Sequence, residues 1–228
     1  MASDKIRVGI VDQRWIQGRT STTCIPASRA RGEVRQFLDH VQNEKPDWHS
    51  IFVTAIHTGV RIGELLAMKW ANVDWEQKTY SVTENLTRAR EFEEPKTIES
   101  CASVPLSAAA IDALKRQKAM LEARRQWRDP GLREDLIFVN TRGKPHDYAT
   151  IVYKVFKPLL KAAGLRDINF HILRHTCASL LIASGASMKE VQGHLRHSRI
   201  EITMNTYAHL YPDSQAATAE RLNALLAG

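Results

Sequence analysis

Cysteine is scarce in this chain. The three present, Cys24, Cys101 and Cys177, lie far apart, are odd in number and form no Cys-x-x-Cys pair. Neither a disulfide framework nor a cysteine-rich zinc site is supported, and a reducing cytoplasm is the simplest setting. Long apolar runs are lacking too. The N-terminus has no signal-peptide character and no stretch approaches a membrane-spanning length, so no membrane partner is expected. Internal repeats and low-complexity segments are also missing. Cys177, inside an apolar helical stretch, reads as a small core residue.

What the chain has is apolar content and positive charge. Hydrophobic residues make up 43% of 228 positions, enough for the core of one large domain or two small ones. Lys and Arg number 32 against 25 Asp and Glu, a formal net charge of +7. That sign suits a nucleic-acid partner without requiring one.

Residues 1–29 show no sustained period and read as a leader or linker. Helical spacing then takes over. Val34, Phe37, Leu38 and Val41 recur at three and four, and Pro46 ends that helix. A second helix carries Trp48, Ile51, Phe52, Ala55 and Ile56 and stops at Gly59. A third begins at Arg61, with Arg61 and Glu64 one turn apart. The period then changes. Thr79–Thr83 alternates like a strand, with further extended pieces near Leu86–Ala89 and Ala102–Pro105 and a charged hairpin tip, EFEEPKTIES, between them.

Ser107 caps a long basic helix running to Trp127, and LIFVN reads as a short strand. A helix over Asp147–Ala163 is expected to break at Pro158. Further helices follow at about His171–Ala183, Ser187–Leu195, Ile200–Tyr207 and Asp213–Leu225. The fold class expected is mainly α with a small antiparallel β-sheet.

The chemistry concentrates between His171 and Tyr207. Arginine clamps phosphate oxygens with paired donors, histidine moves protons, and tyrosine can act as a nucleophile. His171 and His175 stand four apart, His194 and His197 three apart. Four histidines raise the possibility of zinc, but no HExxH, acid or cysteine ligand has matching spacing, so no metal is expected. His175 reads as a packed, hydrogen-bonded core histidine. A lone tyrosine such as Tyr207 would ordinarily be half-buried with a satisfied hydroxyl.

Four segments, in order, resemble the catalytic domain of the tyrosine recombinases, the phage integrase family. They are TGVRIGELLAMKW (58–70), EPKTIESCASVPL (94–106), HILRHTCASLL (171–181) and HLRHSRIEITMNTYAHL (194–210). The resemblance covers roughly residues 30–225. It implies Arg61 as the first arginine, Lys96 as the general-acid lysine, and His171 and Arg174 as the His-x-x-Arg pair. It further implies His197 as the later histidine and Tyr207 as the nucleophile. Lys69 and Arg90 are fallback candidates for the lysine's place, His194 is a rival for His197, and Tyr211 is a rival for Tyr207.

The implied activity is site-specific cutting and rejoining of DNA through a 3′-phosphotyrosyl intermediate, for integration or excision of a phage or other mobile element. His171 is the expected base for Tyr207. The implied partners are double-stranded DNA, three further copies in a homotetramer, and accessory DNA-bending proteins. The implied setting is the bacterial cytoplasm at the nucleoid. No cofactor is expected, because the phosphotyrosyl link retains the bond's energy. Other readings are a relaxing topoisomerase of the single-strand-cutting type and a catalytically silent DNA-binding module.

Three positions depart from the family pattern. Arg196 replaces the glycine usual before His197, which is expected to strain a left-handed turn by about 1 kcal/mol or force another turn. Ile172 and Ala102 replace an acid and an arginine. A separate core-binding domain, which precedes the catalytic domain in full family members, has no counterpart here, so residues 30–228 are expected to be a catalytic-domain fragment.

Overall fold

The structure, a computed structural model, describes residues 27–94, 103–124, 135–210 and the tail positions 220, 223, 224 and 226. Helix α1 (Ala27–Glu44) starts inside the expected linker and presents the foreseen apolar stripe. Its Phe37 meets Phe52 and Phe156 edge-on, with ring centroids 5.0 and 5.5 Å apart. Burying each such ring contributes about 1.5–3 kcal/mol, and edge-to-face geometry adds to that. Helix α2 (His49–Thr58) is apolar almost all round because it is central, packing on α4 (Ala108–Ala123) and α6 (Ile172–Ala183). It ends at Gly59, whose φ of 61° is the left-handed stop expected there.

Helix α3 (Ile62–Leu66) follows at once, with Arg61 as its N-cap residue. Strands β1 (Val73–Asp74), β2 (Thr79–Ser81) and β5 (Ser103–Pro105) form an antiparallel sheet in the order β1-β2-β5. Strands β3 (Asn85–Leu86) and β4 (Phe92–Glu93) form a second, separate antiparallel pair. That pair corrects the hairpin expectation. Phe92 lies opposite Leu86, so the chain turns back within Thr87–Glu91, where Arg90 takes a φ of 67°. The basic helix ends at Ala123, with Arg124 as its cap, short of the expected Trp127. The Lys96 segment, residues 95–102, lies outside the described residues, as does most of the expected tail helix.

Two further expectations are revised. LIFVN is not a strand, since Leu136 and Val139 make only isolated bridges with Lys69 and Pro145, although 136–139 are buried. The helix before Gly164 does not break at Pro158. A π-helical stretch (Thr150–Phe156) runs straight into α5 (Lys157–Ala162), with the proline in α5's first turn. The wide turn ahead gives its ring room against the preceding carbonyls inside a continuous helix.

Helix α7 (Met188–Leu195) opens with a full capping box, Ser187 and Glu190 each accepting the other's backbone N–H. Helix α8 (Ile200–Tyr207) follows. With Ala178 and Ile182 of α6, Val191 and Leu195 of α7 and Tyr207 of α8 form a small apolar cluster apart from the main core. Among the described residues no helix is long and apolar enough to cross a membrane.

Candidate active site

Arg174 sits on the first turns of α6, 4% exposed. Its Nη1 donates to the Gly59 carbonyl at 2.5 Å and its Nη2 to the Leu195 carbonyl. One guanidinium thereby closes the C-terminal ends of α2 and α7, whose last carbonyls lack helical partners. Burial, with Arg61 next, lowers its pKa to about 10. It stays cationic at neutral pH.

Arg61 is held differently. Glu64, in the first turn of α3, accepts the Arg61 backbone N–H at 2.8 Å and Arg61 Nη1 at 2.9 Å. This is half a capping box, because an arginine has no acceptor with which to return the favour. Glu64 is 4% exposed, whereas the Arg61 side chain is 43% exposed and lines an open groove of about 430 Å³. Arg88, Arg90, Tyr148 and His171 line the same groove. Arg88 lies over the Tyr148 ring, 4.7 Å from its centroid, and Arg90 reaches Asp147 at 3.6 Å.

Tyr207 is 1% exposed, and its hydroxyl is within 2.7 Å of His175 Nδ1. The histidine on the hydroxyl is therefore His175, not the expected base His171, whose ring packs edge-on against His175 at 4.9 Å. His175 is hydrogen-bonded, as anticipated, but to the candidate nucleophile. No sequence signal marked this beyond its four-residue spacing from His171. Burial, and then the nearby His171 and Arg174, lower the His175 pKa to about 4. Burial also raises the Tyr207 pKa, which Arg174 only partly offsets. At neutral pH the pair is a neutral imidazole and a protonated phenol. His171 is exposed at the groove although its ring is crowded, and desolvation, then Arg174 and Arg61, lower its pKa.

His197 shares a hydrogen bond with Thr203 of α8 through Nδ1, at 2.9 Å. Its pKa falls to about 4 through burial, with Arg174, Arg61, His175 and His171 adding positive charge around it. The rival His194 turns elsewhere, its Nε2 donating to the His57 carbonyl at 3.2 Å. Lys69, a fallback for the lysine, is committed to Glu84 at 2.5 Å and Asp135 at 3.8 Å. Arg90 stays at the groove. Lys96 and Tyr211 lie outside the described residues. Cys177 is buried and burial pushes its thiol pKa up to about 12, as suits a core residue. Among the described residues no cluster of three His, Cys, Asp or Glu could hold a metal ion.

Arg196 keeps the left-handed turn, at φ 56° and ψ 46°, and buries its side chain against Glu64, Nη2 to Oε2 at 2.6 Å. Burial would raise the Glu64 pKa, but the charge and hydrogen bond of Arg196, with those of Arg61, outweigh it and leave the carboxyl below its usual range. Arg61, Arg174, His171, His175, His197 and Tyr207 thus converge from α3, α6, the α7–α8 turn and α8.

A helical domain with a small antiparallel sheet that gathers two arginines, several histidines and a buried tyrosine beside a basic groove has the catalytic-domain fold of the tyrosine recombinases. The chain belongs to the phage integrase family, which its residues 30–214 match. It is 31% identical over 197 residues to a XerC-like tyrosine recombinase of Caldanaerobacter subterraneus subsp. tengcongensis, covering 77% of this chain and 49% of the relative. It is 28% identical over 205 residues to the prophage integrase IntR of Escherichia coli K12, covering 84% and 50%. Among solved structures, the Tn1549 transposon integrase in complex with circular intermediate DNA superposes with a TM-score of 0.71. That match is 27% identical and covers 82% of this chain and 64% of the other. The chain spans about half the length of the curated relatives it matches.

Proposed function

We propose that this chain is the catalytic part of a site-specific DNA recombinase of a phage or other mobile element. The observation that carries the reading is the Tyr207 hydroxyl, held on a neutral His175 in the same cluster as Arg174 and Arg61. Double-stranded DNA lies along the groove of Arg61, Arg88 and Arg90, where phosphates meet fixed cations. Tyr207 Oη attacks phosphorus to form a 3′-phosphotyrosyl bond. The bond to the 5′ oxygen breaks, and that oxygen takes a proton from Lys96. The phenol proton passes to His175, whose Nδ1 already touches it. Arg61, Arg174 and His197 donate to the oxygens on which charge builds. Because Tyr207 is 1% exposed, DNA must draw the hydroxyl outward before it can meet phosphorus. A 5′ hydroxyl from a partner strand then reverses the step, so no nucleotide cofactor is consumed. A homotetramer on two DNA duplexes, aided by DNA-bending proteins, is the assembly that such an exchange requires.

The test is a nicked suicide DNA substrate, which traps the covalent intermediate. A protein–DNA adduct should form with the unaltered chain and disappear in Tyr207→Phe. An adduct that survives this substitution overturns the nucleophile, and specific binding with no adduct favours a silent DNA-binding module. Relaxation of supercoils without a specific site points to the topoisomerase reading.

A further inference from the structure

Arg196 is the residue that backbone energetics explain least. Its φ of 56° is comfortable for glycine and costs any side chain. Such strain persists where the side chain returns something, and it clusters at functional sites. The side chain here is 1% exposed and ends on Glu64, 132 residues away in sequence. Glu64 is also the carboxylate that holds Arg61.

The division of the two oxygens matters. Oε1 takes Arg61 Nη1, while Oε2 takes the Arg61 backbone N–H and Arg196 Nη2. Arg61 is therefore held through a single terminal nitrogen, and the rest of its fork stays on the groove side, where its side chain is 43% exposed. A carboxylate with no second cation draws a neighbouring guanidinium into a two-pronged clamp. Removing Arg196 would turn Arg61's donors onto Glu64 and away from the groove. The same ion pair ties the turn that leads into His197 to the helix that begins after Arg61.

We infer that Arg196 is a positioning residue: by occupying one side of Glu64 it keeps the Arg61 guanidinium free for a phosphate of the DNA and fixes the His197 turn relative to it. The inference rests on the strand-cleaving reading only for its effect on rate.

The experiment compares Arg196→Gly, Arg196→Lys, Glu64→Gln and the double variant Arg196→Gly with Glu64→Gln, all in the full chain. Single-turnover adduct formation, melting temperature and DNA affinity are measured for each. Arg196→Gly relieves the turn but breaks a buried ion pair, so it should melt lower than the unaltered chain. Assayed well below that melting temperature, it should still cleave about tenfold to a hundredfold more slowly, the range that a misplaced catalytic group costs. Arg196→Lys should recover part of the rate. Glu64→Gln should slow the unaltered chain but speed Arg196→Gly, because it removes the charge that captures Arg61. Unchanged cleavage in Arg196→Gly overturns the inference, and so does a loss in Glu64→Gln that simply adds to that of Arg196→Gly.

A second readout does not depend on activity. The ¹H–¹⁵N Nε–Hε signal of Arg61, assigned by its loss in Arg61→Lys, should shift in Arg196→Gly and move back in the double variant. An unmoved signal sinks the positioning role even if the unaltered chain forms no adduct, an outcome that would count separately against the cleavage reading.

Discussion

The two arginines proposed to hold the same phosphate have opposite kinds of mounting. Arg174 is nearly fully buried and spends two donors on main-chain carbonyls, so removing it also unmakes the junction of α2 and α7. Arg61 is half in solvent and depends on a buried carboxylate shared with a third arginine. One cation is welded into the fold and the other is suspended at the groove. The difference teaches that loss of charge and loss of structure should separate at Arg61 and not at Arg174.

Breaking the contrast at its strongest point gives the largest effect. Arg174→Ala leaves the Gly59 and Leu195 carbonyls without their donor, at about 1–3 kcal/mol for each buried group. On the proposed mechanism it also removes a cation from the transition state, a loss of about 10²–10³ in rate. Adduct assays should show no product above background, and thermal melting should fall by several degrees. Arg174→Lys keeps the charge, but a compact ammonium cannot span both carbonyls as the planar fork does. It should therefore melt low as well. A melting temperature that is unchanged in Arg174→Ala would show that the two carbonyl contacts contribute little.

The suspended arginine can be disturbed without touching it. A Cβ on Gly63, in the first turn of α3, would meet Asn85 Oδ1 at 2.1 Å and the Leu86 backbone oxygen at 2.7 Å. The Asn85 side chain can turn aside, but the strand carbonyl cannot. Gly63→Ala should cost about 1–3 kcal/mol as α3 and β3 move apart. It should slow cleavage less than Arg61→Ala, since Arg61 is shifted rather than lost. Urea unfolding alongside single-turnover cleavage reads both.

Much of this was legible in the sequence, for reasons that also mark where legibility ends. The apolar spacing of α1, α2, α6 and α8 and the stops at Gly59 and Gly164 are local, so the helices could be placed to within a few residues. LIFVN misled because a buried segment of β-branched and aromatic residues has no period to distinguish a strand from an extended thread. An extended piece was expected from Leu86, but its pairing with β4 was missed because a two-residue strand carries almost no pattern. The site residues rest on a resemblance between motifs, and Arg196 was visible as a departure from one. Its partner was not, since no local rule joins residues 132 apart. His175 shows the same limit. Its four-residue spacing from His171 said helix face, whereas its meaning came from a tyrosine 32 residues on.

The smallest effect sets the two halves of the site apart by acid. His175 and His197 have pKa values near 4 in the fold, below the ordinary 6.5 of the unfolded chain. Between those values the unfolded state binds more protons, so stability is fully present above pH 6.5 and drains away as the pH falls toward 4. Glu64 on the cationic side behaves alike in sign but lower in range. Its carboxyl lies below 4.5, so its contribution is lost only as the pH falls further. Acid should therefore loosen the tyrosine's surroundings before it reaches Arg61's anchor. His175→Gln keeps a polar group near Tyr207 but cannot take a proton. Its melting temperature should decline less steeply between pH 6.5 and 4 than that of the unaltered chain, while the two curves keep the same slope above pH 7. Parallel curves throughout would mean that His175 titrates in the fold as it does in the unfolded chain, and that its hold on Tyr207 is looser than the 2.7 Å contact implies.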